Sequence, residues 1–302
     1  MNADPSVLAL IPAAWLAANL AHHLWIETRR RRWERGVRRD AGGLAFDAAP
    51  YTVGDGGVAL LLVHGFADTP AVFRGLADAL AARGLTCRAM RLPGAGEPLA
   101  AAARQNPATW LAAVRAEAAA LRAAHRRVWL AGHSMGGALA LLAQLDDPAT
   151  ADGLVLLAPL IAVSPARAPL LPPRLWFRIA HAALPFSRTF ESCFAVNVLT
   201  RDGDAIAYTR DRFIPFATYS GLFKLTDRLR GRGPDLRAPL FAALAAGDRV
   251  VDAGAARAWL DTCRAPRRRI ETLDDCGHAI PLEANRLPEL SGHIAAFINH
   301  QE

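Results

Sequence analysis

The sequence contains a serine between glycines at a spacing that can make it a nucleophile. An apolar run from Val128 to Ala131 leads into Gly132-His133-Ser134-Met135-Gly136, and helix-forming residues follow. This order predicts a strand, a sharp turn and a helix, with small residues where side chains would collide. The turn would expose the Ser134 hydroxyl beside the free N–H groups of a helix start, which favour negative charge. The pattern therefore indicates nucleophilic catalysis by Ser134.

A serine nucleophile needs a base to take its proton and a third group to orient that base. In a parallel α/β sheet such partners follow the carboxyl ends of later strands. Asp248 follows a predicted strand from Pro239 to Ala245, and His278 follows one from Arg268 to Leu273. We expect His278 to act as general base and then general acid, and Asp248 to hold its tautomer. His278 could instead be a capping or core residue, and Asp248 could be a helix N-cap. Three other aspartates are rivals of Asp248 for the acid role, namely Asp252, Asp274 and Asp275.

An acyl-transfer site also needs two preorganised donors for the developing oxyanion. The backbone N–H of Met135, immediately after the serine, is one candidate. The other is the backbone N–H of Phe66, in the loop after the apolar run from Val58 to Val63. The Phe66 side chain would then line the acyl pocket. His133 is a poor candidate for the base and is assigned to substrate binding.

The elements that must position these residues follow from the alternation of apolar runs with helical patterns. This alternation predicts βαβ units, right-handed crossovers and a mostly parallel, doubly wound sheet. One or two short strands are predicted within Ala45–Val53. Longer strands are predicted at Val58–Val63, Leu85–Leu92, Arg127–Ala131, Gly153–Ala158, Pro239–Ala245 and Arg268–Leu273, and helices at Pro70–Arg83, Pro107–Ala124, Ala138–Gln144, Ala253–Thr262 and Leu287–Asn299.

The stretch from Pro159 to Arg237 interrupts this alternation. It contains many prolines and bulky apolar residues but no clean strand pattern. Because it is too long for a structureless loop, we expect a mostly helical insertion on the side of the serine. A pair of framework helices with long connections is the alternative.

The amino-terminal run from Val7 to Ile26 contains 20 residues without a formal charge. At 1.5 Å per residue it is just long enough to cross a bilayer. Arginines from Arg29 to Arg39 follow it, which argues against a secretory signal and predicts a catalytic body facing the cytoplasm. Four residues weaken insertion: Pro12, Asn19, His22 and His23. We expect membrane association, either spanning or lying on anionic head groups; a helix packed on the domain is the alternative.

Composition excludes several classes of protein. The net charge of +7 could suggest a nucleic-acid partner. However, only Lys224 among the 35 basic residues is lysine, and the sequence contains no long basic helix, so we do not expect nucleic-acid binding. The four cysteines, Cys87, Cys193, Cys263 and Cys276, lack paired spacing, so we expect neither a metal site nor a disulfide framework.

Four motifs resemble those of the α/β-hydrolase superfamily: Val63-His64-Gly65-Phe66, Gly132 to Gly137, Gly247-Asp248 and Cys276-Gly277-His278. The order of Ser134, Asp248 and His278 is also the one expected there. Within it, the chain is most similar to the group of monoacylglycerol lipases, lysophospholipases and bacterial carboxylesterases. The resemblance covers roughly Val58 to the carboxyl terminus, and it departs from many relatives at Pro93-Gly94-Ala95-Gly96, where they have Gly-His-Gly.

This resemblance implies an α/β-hydrolase core with a helical cap and no cofactor. We expect an apolar helix and basic linker at 1–40, a core at 41–158 and 238–302, and the cap at 159–237. The expected activity is cleavage of carboxylic esters through an acyl-enzyme, with lysophospholipid or monoacylglycerol as substrate at a membrane. Alternatives are a thioesterase or acyltransferase with the same triad, or a non-catalytic binding protein. A dehalogenase is disfavoured, because its nucleophile would be an aspartate at the place of Ser134.

Overall fold

A seven-stranded sheet forms the centre of the molecule. The structure is a computed structural model that describes residues 5–168, 170–192, 208–232 and 235–299. The central sheet has the strand order 1-3-2-4-5-8-9; its first strand is antiparallel to its neighbour and the other pairs are parallel. The strands are β1 (Tyr51–Val53), β2 (Val58–Val63), β3 (Leu85–Met90), β4 (Arg127–His133), β5 (Gly153–Leu157), β6 (Thr189–Glu191), β7 (Phe213–Pro215), β8 (Leu240–Ala245) and β9 (Arg268–Leu273).

Helices connect most of these strands, so the predicted alternation is confirmed. They are α1 (Pro5–Gly36), α2 (Arg74–Ala81), α3 (Leu99–Ala102), α4 (Pro107–Ala124), α5 (Met135–Asp146), α6 (Pro173–Ala183), α7 (Phe216–Gly231), α8 (Ala253–Asp261) and α9 (Leu287–Asn299). The predicted limits of β2, β9, α4 and α9 coincide with the observed ones. The helix predicted from Pro70 differs, because Pro70–Phe73 forms a 3₁₀ turn before α2 begins.

Burial on both faces accounts for the apolar sequences of the central strands. All residues of β5 and β8 are buried, and only Val58 of β2 is partly exposed. Such strands need helices on both sides of the sheet. Because β4, β8 and β9 run parallel, the loops that carry Ser134, Asp248 and His278 leave the same edge of the sheet.

The stretch between β5 and β8 contains more than helices. Strands β6 and β7 pair antiparallel, although three residues each are too few to produce a sequence pattern. Helix α6 buries no residue, whereas α7 buries Leu222, Leu225 and Leu229 and contacts α4 and α5. By these contacts α7 joins the helices that cover the sheet, and α6 lies outside that layer.

The amino-terminal helix α1 is longer than the apolar run that predicted it, since it continues through the arginines to Gly36. Within the described part of the chain, no helix is long and apolar enough to cross a membrane. Polar residues such as Asn19 and His22 lower the mean hydropathy of the run from Val7 to Ile26. The second half of α1 packs on the body of the protein, with Ile26 buried.

Candidate active site

The turn between β4 and α5 holds Ser134 in a strained conformation. Its φ of 54° and ψ of −117° lie in a region that residues with a side chain rarely adopt. Two hydrogen bonds stabilise this strained backbone conformation. The Ser134 N–H donates to the Leu157 carbonyl at 3.0 Å, and the Leu160 N–H donates to the Ser134 carbonyl at 2.9 Å. Ser134 is only 5% exposed, and it borders a cavity that is open to solvent.

The steric reason predicted for the flanking glycines is confirmed. A Cβ on Gly132 would lie 2.3 Å from the Gly136 carbonyl oxygen. A Cβ on Gly136 would lie 1.9 Å from the Val63 carbonyl oxygen, so any side chain there would push α5 away from β2. The turn is therefore possible only with glycine at both positions.

His278 lies between Ser134 and Asp248. Its Nε2 is 2.9 Å from the Ser134 Oγ, and its Nδ1 is 2.8 Å from the Asp248 Oδ2. Since the carboxylate can only accept, Nδ1 carries the proton and Nε2 is free to accept the serine proton. This arrangement can perform general base catalysis.

Asp248 is separated from its rivals by its contacts. Its Oδ1 accepts from the Val250 and Val251 N–H groups at 2.8 and 2.9 Å, and its side chain is fully buried. Asp252 instead caps α8 by accepting from the Ala255 N–H. The two remaining rivals, Asp274 and Asp275, are exposed.

Two buried residues that the sequence did not single out for this purpose position His278. The Gly277 N–H donates to the Glu283 Oε1 at 3.0 Å, and Glu283 is buried. The His133 Nε2 is 2.9 Å from the His278 carbonyl oxygen and donates to it. A glutamate five residues after the histidine has no signature in a single sequence, so only the folded loop identifies Glu283.

His133 is not among the residues that line the cavity, and its assignment to substrate binding stays a prediction. It is 2% exposed, and its Nδ1 has no hydrogen-bond partner in the described structure. Burial, reinforced by the neighbouring His278, lowers the pKa of His133 to about 4. The ring is thus neutral near pH 7, and its contact is with the backbone of the His278 loop.

The two expected oxyanion donors border Ser134. Met135 is the first residue of α5, so its N–H has no acceptor within the helix. The loop after β2 approaches Ser134 closely, since a Cβ on Gly65 would lie 3.2 Å from the Ser134 Cβ. The next residue, Phe66, lines the cavity. His64 fixes this loop: its Nε2 accepts from the Leu92 N–H and its Nδ1 donates to the Gly65 carbonyl. Burial lowers the pKa of His64, which keeps this neutral tautomer.

A mainly apolar cavity of about 450 Å³ opens at Ser134 and His278. The Phe66 ring packs 5.0 Å from the Tyr219 ring, centroid to centroid, and Phe177 packs on Tyr219 and Phe223. Other apolar residues in the wall come from the connection after β5 and from α6. They include Leu160, Val163, Trp176 and Ala180. Charged residues also line the cavity: Glu191, Arg210, Asp211 and Arg249.

The cysteines offer no competing nucleophile among the described residues. Cys87, Cys263 and Cys276 are buried and free, and Cys193 lies outside the described residues. Burial raises the pKa of Cys276 to about 12 and that of Cys263 to about 11. A thiol with such a pKa carries almost no thiolate near pH 7.

Comparison with known proteins gives one family and several similar structures. The family described as "Serine aminopeptidase, S33" matches residues 57–285. The thermostable monoacylglycerol lipase of Bacillus sp. (strain H-257) is 37% identical over 94 residues, 31% of this chain and 38% of that protein. The monoglyceride lipase of Rattus norvegicus is 26% identical over 181 residues, 57% of each chain. These matches thus span well under two thirds of the curated relatives.

Among solved structures, one reported with the metagenome-derived lipolytic enzymes LipS and LipT has a TM-score of 0.73 at 20% identity, covering 85% of this chain and 100% of that one. A monoglyceride lipase variant from Saccharomyces cerevisiae has a TM-score of 0.72 at 14% identity, covering 83% and 90%. At these identities the likeness concerns the fold.

Proposed function

The chain belongs to the serine aminopeptidase S33 family of hydrolases and has the α/β-hydrolase fold, and from this premise we propose that it hydrolyses carboxylic esters of lipid-like acyl chains. One observation carries the proposal. The hydrogen-bonded series Ser134–His278–Asp248 opens onto a mainly apolar cavity. Such a cavity binds an acyl chain by removing apolar surface from water.

The reaction begins when the Ser134 Oγ attacks the ester carbonyl carbon and its proton passes to the His278 Nε2. Asp248 stabilises the resulting imidazolium through the Nδ1–H bond, and its own position is fixed by two backbone N–H groups. The N–H groups of Met135 and Phe66 stabilise the oxyanion of the tetrahedral intermediate. The C–O bond then breaks, His278 returns the proton to the leaving alkoxide, and an acyl-enzyme forms. Water, deprotonated by His278, hydrolyses it in the same way.

The charges in the cavity favour an ester over a peptide with a free amino group. An aminopeptidase needs an unpaired carboxylate to bind the α-ammonium group of its substrate. Two carboxylates line the cavity: Glu191 pairs with Arg29 and Arg212, and burial raises the pKa of Asp211 to about 7, which weakens it as a partner for an ammonium group. Hydrogen bonding to Arg29 is the main cause that lowers the pKa of Glu191. An acyl chain, by contrast, matches the aromatic part of the wall.

The substrate is proposed to be a monoacylglycerol or a lysophospholipid. Two curated relatives carry the names monoacylglycerol lipase and monoglyceride lipase, which supports the first. The exposed Arg249 beside Asp248 lines the cavity and would accommodate the phosphate of the second. A thioesterase or an acyltransferase would use the same residues and differ only in the leaving group or the acceptor.

The cap is proposed to comprise residues 159–237, with 1–40 as a separate amino-terminal segment and 41–158 with 238–302 as the core. Helix α6 supports this division, because it contributes cavity wall without joining the core layer. Helix α7 contributes to both, since Tyr219 and Phe223 face the cavity while Leu225 and Leu229 are buried.

The amino-terminal helix is proposed to lie on an anionic membrane surface, with the catalytic body in the cytoplasm. Residues 12–25 expose large apolar side chains, and the stretch that follows them exposes arginines. A helix with this division binds head groups by charge and the acyl boundary by apolar burial. The apolar set is Trp15, Leu16, Leu20, Leu24 and Trp25, and the exposed arginines are Arg31, Arg32, Arg35 and Arg38.

A fluorophosphonate probe tests the proposed function. We expect a covalent adduct on Ser134 that disappears in Ser134→Ala and His278→Ala, because the probe reacts only with an activated serine. Folded wild-type protein without an adduct would refute the enzyme hypothesis.

A series of p-nitrophenyl esters then tests the substrate class. We expect kcat/KM to rise from acetate to a medium acyl chain, and activity confined to acetate would contradict a lipid substrate.

A further inference from the structure

A buried carboxylate next to the oxyanion loop has no part in the proton transfers described above. Asp68 lies two residues after Phe66 and is only 4% exposed. A carboxylate at such depth must be paired and hydrogen-bonded, or its burial would destabilise the fold. The partners of Asp68 therefore indicate what this residue is for.

These partners come from residues 208–211, the segment that leads into β7. The Tyr208 hydroxyl donates to the Asp68 Oδ1 at 2.7 Å, and the Arg210 Nε lies 3.5 Å from the same oxygen. A third contact joins the backbones, since the Asp211 N–H donates to the Ala67 carbonyl at 3.1 Å. All three contacts end on the two residues that directly follow Phe66.

The conformation of this loop requires such external support. Ala67 has a φ of 56°, a left-handed conformation that an alanine adopts only when its surroundings impose it. The Thr69 N–H, 3.2 Å from the Asp68 Oδ1, is the only local contact of that carboxylate within the described residues. The Phe66 N–H belongs to the Gly65–Phe66 peptide, and its direction depends on the same turn because the next peptide along the chain leads into the left-handed Ala67.

We propose that Asp68, Tyr208 and Arg210 are positioning residues that brace the oxyanion loop and so hold the Phe66 N–H towards the reacting carbonyl. This inference rests on the proposed function. The brace also connects the loop to the acyl site, because Ala67, Arg210 and Asp211 all line the cavity that Ser134 borders. A bound acyl chain thus contacts the segment that shapes the oxyanion hole.

The variant Tyr208→Phe tests the brace, because it removes one hydroxyl and keeps the ring. We expect kcat for a medium-chain p-nitrophenyl ester to fall about tenfold with KM within twofold of wild type. Complete loss of an oxyanion donor lowers kcat about 10²- to 10³-fold, and a displaced donor should lose part of that. The affinity for a trifluoromethyl ketone, whose adduct carries an oxyanion, should fall by a similar factor.

Two controls separate positioning from a general loss of structure. Tyr51→Phe removes a tyrosine hydroxyl that donates to the Pro70 carbonyl, outside the loop, and should leave kcat unchanged. Asp68→Asn keeps an acceptor for Tyr208 but removes the charge facing Arg210, so its kcat should lie between those of wild type and Tyr208→Phe. A Tyr208→Phe variant with kcat and ketone affinity within twofold of wild type would overturn the brace. Wild-type protein that neither cleaves esters nor reacts with the probe would overturn the proposed function and the brace together.

Discussion

At the scale of single residues, the site depends on which hydrogen bonds each polar group has already made. Asp248 uses one carboxylate oxygen for two backbone N–H groups and the other for His278. Its geometry is therefore fixed before substrate binds, which reduces the reorganisation that the reaction requires. Asp252, four residues further on, uses a carboxylate oxygen for a helix cap.

The variant Asp248→Asn should lower kcat by about 10³- to 10⁴-fold, because the amide favours the wrong tautomer of His278 and does not stabilise the imidazolium. KM should change little, since Asp248 does not line the cavity. Steady-state kinetics with a p-nitrophenyl ester measures both. Asp252→Asn is the matched control, because asparagine also caps helices well, and it should retain wild-type kcat. Equal activity in the two variants would assign the acid role to another residue.

His133 should make the protein less stable as the pH falls. Its pKa is about 4 in the folded protein and about 6.5 in the unfolded chain. Between these two pH values, therefore, only the unfolded chain takes up this proton. The stabilisation is complete above pH 6.5 and is lost as the pH falls towards 4. His133→Gln keeps a donor for the His278 carbonyl but does not titrate. Urea unfolding measures how much the free energy of unfolding decreases between pH 7.5 and pH 5. This decrease should be about 2 kcal/mol smaller in the variant than in wild type. Equal decreases in the two proteins would exclude His133 as the cause of the pH dependence.

At the scale of elements, α1 is attached to the wall of the cavity. Arg29 donates two hydrogen bonds to Glu191 of β6, at 2.8 and 3.0 Å, and Glu191 lines the cavity. The Trp33 ring packs 5.9 Å from the Phe213 ring of β7, centroid to centroid. The second half of α1 therefore contacts both strands of the small sheet.

Loss of the Arg29–Glu191 pair should loosen α1 without unfolding the protein. The pair is partly exposed and screened by solvent, so its contribution to the free energy of unfolding is small. In Arg29→Gln, amide hydrogen exchange in the second half of α1 should become about three- to fivefold faster, while exchange in β4 stays unchanged. Arg32→Gln is the control, because Arg32 is exposed on the same helix and has no ion pair among the described residues. Similar exchange in both variants would exclude a role for the pair.

At the scale of the whole molecule, the exposed half of α1 and the outer face of α6 present apolar side chains to solvent. Leu20 and Leu24 belong to α1, and Leu175 and Ile179 to α6. Because other residues of α6 line the cavity, a surface that binds these residues would lie close to the entry of the proposed lipid substrate.

The double variant Leu20→Ser/Leu24→Ser should bind anionic vesicles at least tenfold more weakly than wild type, with an unchanged melting temperature. Both side chains are exposed, so their loss costs membrane contact but no core packing. Ala17→Ser/Ala21→Ser is the control, because it adds the same hydroxyls on the same helix where little apolar area is lost. Vesicle sedimentation measures binding. A chain that starts at Ala41 should lose both vesicle binding and stability, because it also lacks the docked half of α1.

Much of the fold was predictable because its signals are local. The limits of β2, β9, α4 and α9 came from apolar runs, prolines and caps that act within a few residues. The pair β6 and β7 was not predicted, because its stability comes from contacts between segments more than 20 residues apart. The extent of α1 was underestimated for a related reason: its arginines continue the helix while pairing with Glu27, Glu34 and Glu191.

The sequence by itself determined the nucleophile turn, since the glycines beside Ser134 have a steric requirement that acts over only a few residues. It also determined the order of Ser134, Asp248 and His278 and their places after strands. Only the tertiary structure showed that Asp248 rather than Asp252 contacts His278, that His133 does not line the cavity, and that Tyr208 reaches Asp68. These outcomes depend on side-chain directions at the meeting point of distant loops, and a hydrogen bond is sensitive to tenths of an ångström that sequence spacing does not specify.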